Sequence, residues 1–287
     1  MSDGATAPEI DKLVERLLSD TGATIPVRVE EILRLLAVDL SYYNLDDPGL
    51  IRRFVHRAKI KGQHVADQLL SAVKKIKLHA LWCPDEDQIL VDERLPVPKK
   101  RWATFHDATH RLLPWHREFF RWDTAQTLDP AYQEMLEAEA NYGASALMFC
   151  GHKFTLAARD TVPSWRGVQT LSRRFGTSLT TTLRRYVTHG HDRPMAALIS
   201  MPRWMPSADE TVSRYRHAEY SKAFRVEFGS VAPQLLGALV DANTHFARGG
   251  VIGDFAALLY DLRSEPREFH VESFFNRHDV LTLFVAK

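Results

Sequence analysis

The chain has 287 residues, enough for one large domain or two smaller ones with full apolar cores. Apolar residues make up 45% and charged residues 25%, and 37 basic against 36 acidic side chains leave a net charge of +1. That balance removes the electrostatic case for nucleic acid or a membrane surface as the main partner.

The two cysteines, Cys83 and Cys150, lie far apart without metal-type spacing, which favours a reducing compartment over a secreted disulfide framework. The first residues carry neither a basic lead nor an apolar run, and no segment approaches the roughly 18 apolar residues a bilayer needs. A cytoplasmic protein without a membrane anchor is the expectation.

In chain order, Ile10, Leu13, Val14, Leu17 and Leu18 fall on one stripe of a helix ending at Asp20. A second amphipathic helix is predicted over Val29–Leu36, then an extended run over Val38–Tyr42. Residues 50–80 read as helical and basic, with Arg52, Arg53, Arg57, Lys59, Lys61, Lys74, Lys75 and Lys77 forming a solvated face. Leu81–Trp82 and Gln88–Val91, separated by a polar turn, predict a hairpin or edge strand. Pro98 opens a helix over Lys99–Leu113 and Pro114 ends it. Another helix, rich in Ala, Leu, Met and Glu, is predicted over Pro130–Phe149. Val168–Phe175, a Gly176 break and Ser178–Val187 have the length and punctuation of a helix-turn-helix. Beyond residue 190, short β-type runs at Met195–Ser200, Phe224–Phe228 and Val280–Val285 flank a helix near Val231–Phe246, while Phe274 and Phe275 read as strand. The class is α+β, divided into a helical extension (1–24), a main domain (25–160), a helix-turn-helix-like segment (161–190) and a small α+β region (191–287).

The chemistry concentrates at His106-Asp107-Ala108-Thr109-His110. Two histidines four residues apart project from one helix face, where two ring nitrogens can reach one tetrahedral ion. Thirteen histidines in 287 positions give roughly 0.6 such pairs by chance, and an acid after the first lowers this to about 0.07. The third donor should come from a second helix. Ala138, Ala140, Gly143, Ala144 and Ala146 make the 130–149 helix able to approach closely, and Glu139 is the candidate ligand, with Glu137 about 200° away around the helix. His116, beside Trp115, reads as structural, Trp102 and Phe105 as core. Tyr142 stands near enough to Glu139 to lean toward the site. Arg173, Arg174, Arg184 and Arg185 are the side chains that would meet phosphates were the 168–187 helices to contact DNA, although packing is the favoured reading.

The order of these features resembles the ImmA/IrrE family of zinc metallo-endopeptidases over roughly residues 25–190. The strand Gln88-Ile89-Leu90-Val91, the lead Arg101-Trp102, the metal helix His106–His110, and Glu139-Ala140-Asn141 through Leu147-Met148 carry the resemblance. Leu171–Ser178 and Arg184–Val187 are similar to the helical segment that follows the peptidase core in many members. The resemblance implies a zincin-like fold, zinc held by His106, His110 and Glu139, and Asp107 as the general base. It also implies a protein substrate, such as a transcriptional repressor. Two residues depart from the family pattern. Asp107 stands for a glutamate and retreats by about 1.5 Å, a displacement able to cost about a hundredfold in rate. Thr109 stands for a glycine and would hold the helix away from its neighbour. A metal-binding sensor or interaction module with weak or no proteolysis is the alternative these departures raise.

Overall fold

The computed structural model describes residues 6–22, 24–44, 80–83, 87–121, 130–205 and 213–287. The basic segment expected to be helical over 50–80 lies outside the described residues, apart from Ala80. The chain divides into two compact units, Met1–Gly151 and His152–Lys287, where four segments were expected.

The first unit begins with α1 (Ala7–Asp20), whose stripe Ile10, Val14, Leu17 and Leu18 is buried. Next come α2 (Val29–Leu36), β1 (Asp39–Tyr43), β2 (Ala80–Cys83) and β3 (Gln88–Asp92). The sheet order is β1-β3-β2, with β1 parallel and β2 antiparallel to β3. The antiparallel pairing expected of Leu81–Trp82 with Gln88–Val91 is therefore present, with β2 at the edge of the sheet among the described residues. The metal-motif helix, α3 (Val97–Leu112), opens with proline in its first turn, where a missing N–H costs nothing. Pro114 ends α3 as expected, but it also begins a further helix, α4 (Pro114–Arg121). α5 (Pro130–Met148) runs against both α3 and α1. Its buried stripe is Leu136, Ala140, Ala144 and Leu147, small enough to admit a close neighbour.

The second unit opens with α6 (Lys153–Arg159), α7 (Trp165–Phe175) and α8 (Leu179–His189). Ser164 and Ser178 cap the last two by accepting from Gly167 and Thr181 N–H, and Gly176 ends α7 with a positive φ of 61° that favours glycine. The antiparallel sheet has the order β5-β4-β8-β7-β6, built from β4 (Met195–Ser200), β5 (Tyr215–Tyr220), β6 (Gly250–Tyr260), β7 (Pro266–Phe275) and β8 (Val280–Ala286). α7 packs on β7 and α8 on β4, β5 and β8. α9 (Lys222–Phe228) and α10 (Pro233–Asn243) join Ala196, Leu198, Phe269, Val271 and Phe284 in the core.

One expectation fails here. Phe224–Phe228, read as a strand, is helical: Ser221 caps it by accepting from Phe224 N–H, and Phe224 and Phe228, four residues apart, bury together. The whole is α+β. Among the described residues no helix is long and apolar enough to cross a membrane.

Candidate metal centre

α3 projects His106 and His110 as the four-residue spacing requires, with Nε2 atoms 3.2 Å apart. The third group to reach them is Glu137 of α5. Its Oε2 lies 3.1 Å from His106 Nε2 and its Oε1 3.5 Å from His110 Nε2. Glu139, the expected ligand, is not brought to these nitrogens, and the geometry corrects that assignment. Its Oε1 accepts from the Thr6 hydroxyl at 2.6 Å, and its Oε2 faces Trp115 Nε1 at 2.7 Å and His116 Nε2 at 2.8 Å. The two glutamates flank the buried stripe of α5 from opposite sides, and the setting of α5 against α3 turns the Glu137 flank to the histidines.

Asp107 lies beneath the pair. Its carboxylate accepts the backbone N–H of Trp82 on β2, while Oδ2 is buried with no hydrogen-bond partner among the described residues. His106, Asp107 and His110 together present ligand-type atoms within 4.8 Å of one another, a group that can hold a metal ion.

His106 Nδ1 sits 3.1 Å from Asn141 Oδ1, one helical turn past Glu137. His110 Nδ1 sits 2.9 Å from His116 Nδ1. Both Nδ1 atoms are thus engaged behind the rings, and both Nε2 atoms point into one space. Glu137 is 57% exposed and His110 only 4%, so the group opens to solvent on the Glu137 side.

These residues fit a divalent cation. Donors about 2.0–2.1 Å from a tetrahedral zinc lie about 3.3–3.4 Å apart. The three contacts among His106, His110 and Glu137, at 3.1, 3.2 and 3.5 Å, fall around that edge length.

The electrostatics follow from burial and partners. Burial pushes Asp107 up to about 7, against the lowering effect of His106. Hydrogen bonds from His106 and then His110 hold Glu137 well below the usual carboxylate range. Burial opposes a charge on His106, but the Glu137 hydrogen bond and the Asp107 charge outweigh it and raise this ring. Burial lowers His110, and it lowers His116 to about 4. For Glu139, burial works upward, but the bonds from Thr6, Trp115 and His116 prevail and keep it low.

Among the other side chains singled out, Phe105 is core, and the Tyr142 hydroxyl donates to the Asp11 carboxylate at 3.0 Å rather than leaning into the site. Arg184 pairs with Glu219 of β5 at 2.6 Å, and α8 buries Thr182, Leu183, Tyr186 and Val187. Glu137 and Asn141 were missed as site residues. Their four-residue spacing, which sets both on one face beside the histidines, was the available signal.

A scan against protein-family models finds no match, and a search of curated proteins finds none. Among solved structures, the fold is similar to a Mycobacterium tuberculosis transcriptional regulator, at a TM-score of 0.56 and 11% identity. The alignment covers 97% of this chain and 76% of that one, a likeness that concerns the fold alone.

Proposed function

We propose that this protein is a zinc-dependent, endopeptidase-like regulatory protein with a zincin-like core, acting on a protein partner such as a transcriptional repressor. The observation that carries the reading is the triangle of His106 Nε2, His110 Nε2 and the Glu137 carboxylate, drawn from two helices at tetrahedral-edge spacing. The resemblance of the histidine helix and its partner to the ImmA/IrrE family agrees with it, once Glu137 replaces Glu139 as the acidic ligand. The solved neighbour, a transcriptional regulator by its description, is in keeping with a regulatory role.

A bound zinc would supply Lewis-acid chemistry for the hydrolysis of an amide. His106, His110 and Glu137 would hold it, and Asn141 orients His106. Asp107, next to His106 and within 4.8 Å of the histidine donors, would stand where a general base takes a proton from the attacking water.

The second reading is a metal-binding sensor or interaction module with little or no turnover. The burial of Asp107 Oδ2 and the capture of its carboxylate by Trp82 N–H favour it, because a base held by the protein cannot reach substrate.

Protein purified without added metal should contain stoichiometric zinc, lost in His106→Ala and in Glu137→Ala. With candidate repressors it should give a discrete cut, absent in both variants. Failure to take up zinc at micromolar concentration overturns both readings. Zinc uptake without a cut by wild type, and a cut appearing in Asp107→Glu, assigns the second.

A further inference from the structure

We propose that Glu139 and His116 form a positioning pair that fixes which nitrogen of His110 is offered to the metal; the proposal rests on the metal reading above. Trp115 Nε1 only donates, so Glu139 Oε2 accepts from it. The same oxygen, 2.8 Å from His116 Nε2, then accepts the hydrogen of that nitrogen. Oε1 is taken by the Thr6 hydroxyl. A carboxylate accepting on both oxygens leaves the His116 ring, buried and neutral, with Nδ1 as an acceptor. The only hydrogen available to the 2.9 Å contact between the two Nδ1 atoms is therefore the one on His110. With Nδ1 carrying that hydrogen, Nε2 of His110 keeps its lone pair, and this is the atom facing His106 and Glu137.

The pair thus acts through His110 without approaching the metal space itself. Carboxylates that orient metal-binding histidines in this way are worth about 10–100-fold in metal affinity. Here a second imidazole is inserted between carboxylate and ligand. The chain of contacts begins at Thr6, so the start of α1 is tied to the outer side of the site.

The test measures zinc affinity of the full chain by chelator competition, the absorption of the cobalt(II)-substituted protein, and the histidine tautomers by nitrogen-15 NMR. The metal-free wild type should show His110 with its hydrogen on Nδ1. His116→Phe, which keeps a flat aromatic ring but removes the acceptor, should weaken zinc about 10–100-fold and alter the cobalt spectrum. His116→Gln, whose amide both accepts and donates, should recover most of the loss. Should His116→Phe fail to fold, Glu139→Gln serves, with an expected loss of about tenfold and a changed His116 tautomer. Wild-type zinc affinity in these variants, or His110 carrying its hydrogen on Nε2, overturns the proposal while leaving the metal site standing. Absence of zinc binding in the wild type overturns the metal reading instead.

Discussion

Gly143→Ala is the substitution that most directly probes how the site is assembled. A Cβ built on Gly143 of α5 would stand 2.4 Å from Thr109 Cγ2 and 3.1 Å from Thr109 Oγ1 on α3. Carbon atoms rest at about 3.5–4.0 Å, so the overlap is about 1 Å. Thr109 has little freedom to yield, because it is fully buried and its hydroxyl donates to Phe105 O at 2.8 Å. Its Cβ is branched, so rotation brings another heavy atom into the same place. Alanine in a helix interior gains about 1 kcal/mol over glycine, whereas overpacking costs about 1–3 kcal/mol. An overlap of this size between two backbone-anchored groups puts the cost at the upper end. The net effect should be a loss of about 1–2 kcal/mol, read by urea denaturation of the metal-free chain. Thr109→Ala removes both clashing atoms, so alanine at 143 should then be neutral or stabilising, with a coupling of about 1–3 kcal/mol in the double-mutant cycle. Zinc affinity should fall in Gly143→Ala and recover in the double variant, because α5 carries Glu137. A Gly143→Ala protein as stable as wild type, or an unchanged penalty in the Thr109→Ala background, would refute this account of helix approach.

Three further outcomes are expected. In the metal-free protein, the rise of Asp107 from 3.8 to about 7 means the native state binds more protons than the unfolded chain between those pH values. Stability should then fall as pH rises through that window, by about 4 kcal/mol at most at about 1.4 kcal/mol per pH unit. Asp107→Asn should flatten that limb and exceed wild type at pH 8; parallel pH profiles for the two proteins would count against the buried, protonated carboxyl. Glu137→Gln should weaken zinc more than Glu139→Gln does in calorimetric titration, and the reverse order would restore Glu139 as the ligand. Ser221→Ala should cost about 2–3 kcal/mol of stability. It removes the cap of Phe224 N–H together with the bonds to Met195 N–H and Arg193 O, and a loss below about 0.5 kcal/mol would contradict those partners.

Local spacing determined much of this protein. The stripe of α1, the proline opening of α3, the glycine break after α7 and the four-residue histidine pair all express periods that hold within a single element. Even the strand error at Phe224–Phe228 is local, since Ser221 could have marked a helix start. What the sequence could not supply was the rotation of one helix against another. Glu137 and Glu139 are two residues apart on the same helix, and each is a plausible ligand by type. Gly143 seated on Thr109, with Ala140 and Ala144 buried beside it, sets which flank of α5 meets the histidines. The same contact answers the concern raised by threonine in place of glycine on α3: the missing space is supplied by a glycine on the opposite helix. The raised pKa of Asp107 likewise comes first from burial in the closed core, opposed by His106 and by the N–H of Trp82 from β2, 25 positions earlier in the chain. Helix faces follow from the backbone period of a single segment, whereas the partner each face meets is fixed by side-chain volumes that come together only when the core closes.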